Sequence, residues 1–296
     1  MAAGAFGRAA LGFGRELAAE VKADRLTGLG AEIAFFAVLS LAPMLLALAA
    51  ALGSIESVAG ADVADRANAA ITDAVREALG GEAEAIVAVI DQLFAQQSAG
   101  LLGLSVLFAL YAASRGFAAL VKALDVVYDV EETRGWLLTR ALGLGLVLGS
   151  VLVGAVVLTM LVLGPLFGRG EEVAERLGLG SVFATSWTWA RPPLVLGVLV
   201  GWALVVFHVA PNRRTPWRAD LPGALATTVL WLLGGVGFRL YLELSTTGGG
   251  NAVLGTLGGL LTLLLWLYLM GLALLIGGEV NAIRHHRRVR GAASSG

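Results

Sequence analysis

The sequence predicts an all-α membrane protein, a polytopic six-helix transmembrane bundle with an external amphipathic helical hairpin. Three observations predict it. Of 296 residues, 57% are hydrophobic and 15% charged, with a mean hydropathy of +0.81; a soluble domain carries roughly 25% charged residues. Six uncharged runs are long enough to cross a hydrocarbon layer of roughly 30 Å, which takes about 20 helical residues because unpaired backbone is not tolerated there. Lys and Arg are also divided unevenly among the segments that join those runs.

Residues 1–30 form a cytoplasmic N-terminal segment. Arg8, Arg15, Glu16, Glu20, Lys22, Asp24 and Arg25 interrupt it, so it lacks the apolar stretch of a cleavable signal peptide, and the first crossing serves as the targeting signal. The membrane domain takes residues 31–283. Its predicted crossings are Ile33–Ile55, Gln92–Ser114, Ala141–Gly168, Pro192–Asn212, Leu221–Phe238 and Leu244–Gly278, the last with its helix proper at Val253–Gly278. Fifteen Lys and Arg fall in alternate segments (the N-terminal segment, Arg115–Arg140, Arg213–Arg218 and the tail) and five in the segments between, with Arg239 apart. The positive-inside rule therefore puts both termini in the cytoplasm. The tail, 284–296, opens on the basic stretch RHHRRVR, suited to topology and to anionic lipid, and ends partly disordered.

The external loop 56–97 differs in kind. Val63, Ala67, Ile71, Val75 and Leu79 recur every four residues, and Ile86, Val89, Ile90, Leu93 and Phe94 repeat at helical spacing after Gly80-Gly81. Two amphipathic helices joined at the glycines follow. Their acidic residues lack the spacing of a cation-binding loop and read as a solvated face.

Several classes of chemistry are disfavoured. No cysteine is present, no phosphate-binding GxxxxGK[ST] loop appears, and a net charge of −1 carries no nucleic-acid footprint. We expect no cofactor, no metal site and no catalytic residue. The polar residues of interest lie at the ends of crossings. Arg115 is placed at the cytoplasmic end of the second crossing, on a helix that continues through Phe117, Leu120, Val121, Leu124, Val127 and Tyr128. Glu32 opens the first crossing at that level, and Glu279, followed by Asn281, closes the sixth. These four are either an ion-pair network tying helix ends or a vestibule for a substrate headgroup, since an Arg fork matches carboxylate or phosphate oxygens. Arg239 and Glu243, four apart, form an external polar pair. Ser40 and Pro43 mark a kink in the first helix, and His208 reads as a satisfied packing residue rather than a proton carrier. GxxxG spacings at Gly145/Gly149, Gly197/Gly201 and Gly255/Gly259 suit close helix packing and leave a homo-oligomer open.

Three stretches together, AEIAFFAVLSLAPML (31–45), YAASRGFAALVKALDVVYDVEETRGWLLTR (111–140) and GTLGGLLTLLLWLYLMGLALLIGGEVNA (255–282), resemble the YihY/virulence factor BrkB family of bacterial inner-membrane proteins, once labelled ribonuclease BN. The resemblance covers about residues 15 to 290 and implies a six-helix protein of the bacterial cytoplasmic membrane. It also implies links to serum resistance, envelope integrity and export of lipids or other amphiphiles. Phe36 departs from the tyrosine of many relatives, which puts in doubt any role for a hydroxyl there. A nuclease needs clustered acids or histidines around metals, or a histidine pair acting as acid and base; here the one adjacent His pair lies in the basic tail. The functional expectation is a non-enzymatic transporter or binder of a lipid or another amphiphilic envelope molecule. The alternative is an envelope-integrity scaffold that recruits partners through the 56–97 hairpin.

Overall fold

The computed structural model describes the backbone of residues 2–40, 99–158, 180–213, 215–246 and 253–293, with Ala69, Thr72, Val87 and Met160 singly. Among these residues the fold is all-helical: α1 (Ala2–Ala23), α2 (Leu26–Ser40), α3 (Ala99–Val127), α4 (Trp136–Leu158), α5 (Gly180–Val209), α6 (Trp217–Thr246) and α7 (Val253–Ala293). In four of them the stretches Trp136–Val157, Trp189–Val209, Trp217–Leu242 and Gly258–Gly291 are long and apolar enough to cross a membrane. They coincide with the last four predicted crossings. The first three open on exposed tryptophans, the residue enriched at membrane interfaces. Leu137, Leu152, Leu233 and Leu261 lie exposed along these helices, where lipid hydrocarbon covers them. Of the first predicted crossing Leu26–Ser40 is described, ending on buried Ser40; Pro43 and the 56–97 hairpin fall outside the described residues, apart from three single helical positions.

The chain divides into two compact units. One comprises residues 1–38, 115–153 and 194–296, the other residues 39–114 and 154–193. In the second unit, Ser114 is buried and its Oγ donates to the Tyr111 carbonyl at 2.7 Å. The first unit holds a core of Leu26, Val121, Leu124, Ala203, Phe207 and Leu275.

Glycine sets the closest approaches in that unit. A Cβ on Gly277 would meet Thr227 Oγ1 and the Gly223 carbonyl, and one on Gly223 would meet the Gly277 carbonyl and Asn281, so α6 and α7 touch backbone to backbone. The contact continues along the pair. The Trp231 indole donates to the Met270 carbonyl at 3.0 Å, and the Phe238 and Trp266 rings lie 4.9 Å apart. Gly278 faces α3 and α5 instead, with Val127 and Leu124 at 3.0 and 3.2 Å and Phe207 at 3.6 Å from its Cβ position. Of the GxxxG positions, Gly149 meets the Trp202 ring, whereas Gly145, Gly197, Gly201 and Gly259 have nothing within 4 Å.

Both helix ends at the level of Gly278 close on left-handed residues. At the end of α3, Asp129 (φ 51°) lets its own N–H reach the Val126 carbonyl and that of Val130 reach the Asp125 carbonyl, a Schellman closure. Arg25 (φ 52°) turns α1 directly into α2.

About 20 residues cover the hydrocarbon layer, so a crossing of α7 that starts at Gly258 ends near Gly278 and leaves Glu279, Asn281 and the basic tail beyond it. That tail, expected to be partly disordered, continues as helix to Ala293. Its arginines suit the negative end of the helix dipole, and α1 holds it: Arg287 Nε donates to Glu16 at 2.9 Å, and the guanidinium lies 5.2 Å from the Phe13 ring centre. The pair is 45% and 30% exposed. Glu16→Gln should therefore shift thermal stability by less than about 1 kcal/mol, as read from unfolding midpoints.

Candidate functional site

Beyond Gly278 the ends of α3, α5, α6 and α7 meet in a buried polar hub. Asp220, in the first turn of α6, has no exposed surface; it pairs with Arg213 and accepts from or shares a proton with His208 Nδ1 at 3.2 Å. The Arg213 guanidinium also lies 3.6 Å from the Tyr128 ring centre, and His208 stacks on Trp217 at 3.8 Å. The packing role expected for His208 thus has its partner. Asn281 closes the hub from α7: its Oδ1 accepts from the Gly223 N–H at 2.6 Å, and its Nδ2 donates to the Asp220 carbonyl at 3.0 Å and to Tyr128 Oη at 3.2 Å. Burial raises the Tyr128 phenol above its ordinary range, so it stays neutral.

A cleft of about 680 Å³ adjoins the hub, lined by Glu131, Thr133, Arg134, His208, Asn212 and Arg213 among others. Several of its donors are already committed. Arg134 forks onto Glu132 through Nε and Nη2 at 2.8 and 2.7 Å and also caps the end of α5, donating to the Ala210 carbonyl at 2.7 Å. The hydrogen bonds from Arg134 hold the Glu132 carboxyl below its ordinary range. Asn212 donates from Nδ2 to Thr133 Oγ1 at 2.7 Å and from its backbone to Asp125 Oδ1 at 2.9 Å. Burial raises the Asp125 carboxyl, whose Oδ2 has no partner among the described residues. The cleft therefore joins two loops, with both described guanidiniums in its lining, Arg134 and Arg213, paired to carboxylates.

Arg115 lies elsewhere, outside the hub and the cleft. The helix α3 runs unbroken for twelve residues past it to Val127. At 1.5 Å per residue that is about 18 Å along the axis, and Val127 is the residue that rests on Gly278. Arg115 therefore lies about 18 Å along the α3 axis from the Val127–Gly278 contact. On α2, Gly30 meets Tyr268 and Leu272, Ile33 meets Gly271, and Phe36 follows about one turn on. The exposed Arg115 guanidinium lies over the Phe36 ring, 5.1 Å from its centre, a contact worth about 0.5–2 kcal/mol. A phenylalanine suffices for that contact. Glu32 is exposed one turn earlier on α2.

Glu279 is 2% exposed, and its Oε1 has no hydrogen-bond partner among the described residues. Among the described contacts, none joins Glu279 to Arg115. Arg239 is exposed on α6, and the Glu243 side chain lies outside the described residues.

A model of the virulence factor BrkB family matches residues 17–295. The chain belongs to that family. Among similar BrkB-type chains, the putative ribonuclease-like protein YfkH of Bacillus subtilis strain 168 is 32% identical over 208 residues, 69% of this chain and 72% of its own length. A UPF0761 membrane protein of Azoarcus sp. strain BH72 is 25% identical over 91% of this chain and 62% of its own length. Another, of Vibrio vulnificus strain YJ016, is 25% identical over 93% of this chain and 83% of its own. No solved structure matches this BrkB-family chain. Its hub showed in sequence only through Asn281 and His208, because Asp125, Asn212, Arg213 and Asp220 are isolated polar residues that only packing brings together. One signal was available: Asp220 is an acid at the threshold of an apolar helix, directly after a basic loop.

Proposed function

We propose that the protein moves an amphiphilic envelope molecule with a phosphate-bearing headgroup across the bacterial cytoplasmic membrane, with both termini and the Asp220 hub in the cytoplasm. The observation that supports this reading is the exposed Arg115 guanidinium over the Phe36 ring, twelve residues before the end of α3, which we read as lying within the hydrocarbon layer. A guanidinium within the hydrocarbon layer costs about 2.5–3.5 kcal/mol on insertion scales, and one ring contact does not offset that. An anionic headgroup passing along α2 and α3 does, because charge-assisted forks to phosphate oxygens are the strong hydrogen bonds of such sites. Glu32 stands next to Arg115's ring partner and meets the cationic part of a zwitterionic headgroup. Asn281 acts through the hub, holding α7 against α6. The fifteen-to-five distribution of Lys and Arg supports the orientation.

The ribonuclease-like wording in the Bacillus relative's name does not suit these residues: His208, the histidine of the hub, is held between Asp220 and Trp217.

The depth is testable by itself. A nitroxide on Arg115→Cys in lipid nanodiscs should report a position several ångströms below the headgroups and still be reached by water-soluble relaxation agents. A label on Asp129→Cys should report the interface. Equal depth for the two labels would overturn the reading.

A further inference from the structure

The basic end of α7 forms a cleft with α1. About 250 Å³ in volume, it is lined by Phe13 from α1 and by Arg284, Arg287 and Arg288 from α7. The three arginines stand three and four residues apart, so they share one face of the helix. Arg287 is already bound to Glu16 and lies over the Phe13 ring. Arg284 and Arg288 are exposed, and among the described residues neither has a hydrogen bond or an ion pair. Three guanidiniums thus meet one carboxylate, which leaves two positive charges beside an aromatic wall.

Their height favours one occupant. With the hydrocarbon ending near Gly278, Arg284 lies about 9 Å and Arg288 about 15 Å further along the axis at 1.5 Å per residue, and the headgroup region beyond the hydrocarbon is roughly 5–8 Å deep. Side chains on a helix lean toward its N-terminus, here back toward the membrane, and the long arginine stem carries its fork in the same direction. A guanidinium fork matches phosphate oxygens through two parallel hydrogen bonds, while the Phe13 ring offers an apolar surface to the glycerol carbons beside them.

We propose that the α1–α7 cleft binds the phosphate of an anionic phospholipid in the leaflet from which the tail emerges, through Arg284 and Arg288, with Arg287 and Phe13 as its fixed wall. A zwitterionic headgroup brings its own cation and gains less from the two unpaired charges. The site is separate from Arg115 and requires no lipid movement, so the two readings fail independently.

Native mass spectrometry of the full chain in detergent, titrated with short-chain phosphatidylglycerol or phosphatidylcholine, tests the proposal. Phosphatidylglycerol should bind about thirtyfold more tightly, roughly a factor of five for each of the two basic residues at the surface. Arg284→Gln/Arg288→Gln should lose that preference, Arg284→Lys/Arg288→Lys should keep part of it because the charge stays and the fork goes, and Arg115→Ala should keep all of it. Equal phosphatidylglycerol affinity in the intact chain and the glutamine variant would overturn the proposal. So would displacement of the lipid by equimolar inorganic phosphate, which would assign the arginines to a free anion, or tighter binding of a single-stranded RNA oligonucleotide that the glutamine variant loses, which would assign them to nucleic acid.

Discussion

Asp220→Ala is expected to destabilise the protein by about 3–5 kcal/mol, the cost of leaving a buried partner charge uncompensated. Asp220 is wholly buried, and its carboxylate is what neutralises Arg213 beside the Tyr128 ring. Removing it strands that guanidinium, whose Nε already lacks a partner among the described residues, and frees His208 on the face of Trp217. The Asn281 bond to the Asp220 backbone carbonyl remains, so the loss is electrostatic rather than a gap in the α6–α7 contact. The double variant Asp220→Asn/Arg213→Gln should recover much of the loss, because no unpaired charge is left. Unfolding midpoints in detergent, measured for single and double variants, separate this coupling from simple damage at two sites.

Gly277→Ala should cost about 1–3 kcal/mol or more. Its methyl would occupy the space of Thr227 Oγ1 and of the Gly223 carbonyl, with Phe207 Cζ at 3.2 Å on the third side. Backbone cannot swing aside as a flexible side chain does, so α6 and α7 must separate, and separation breaks the Asn281 to Gly223 bond. Gly258→Ala is the matched control. It adds the same methyl to the same helix where nothing lies within 4 Å, and should leave stability unchanged or raise it by up to about 1 kcal/mol through helix propensity. Thermal midpoints of the two variants give the comparison directly.

The last four crossings were legible because each is an uncharged run flanked by Trp or basic residues, and the hydropathy of a lipid-facing helix needs no partner to be read. Helix ends were less so. The continuation of α3 past Arg115 was legible from its apolar stripe, and α3 ends at Val127; the tail helix reaches Ala293, into the stretch read as disordered, because a polar helix end shows no apolar period and its contact with α1 through Glu16 and Arg287 is made by packing. The hub was not legible at all as a unit: Asp125 bonds Asn212 and Asn281 bonds Gly223 across 87 and 58 residues, and no periodicity links such positions. Arg115, Glu279 and Asn281 could be singled out as polar residues in apolar surroundings. Which of them share neighbours depended on helix register, and that places Asn281 in the hub and Arg115 over Phe36.

The account turns on Arg115 as the intramembrane contact for a headgroup. Transbilayer movement of a fluorescent phospholipid in proteoliposomes tests it most directly, comparing the intact chain, Arg115→Lys, Arg115→Ala and a chain whose 56–97 segment is replaced by a flexible linker, each verified as folded and inserted. The account predicts rapid movement with the intact chain and with the linker chain, and partial movement with Arg115→Lys. For Arg115→Ala it predicts a rate lower by about tenfold or more, the loss of roughly 1.4 kcal/mol of barrier lowering. Equal rates for Arg115→Ala and the intact chain, with movement abolished only when 56–97 is replaced, would contradict it and point to a scaffold working through its external segment.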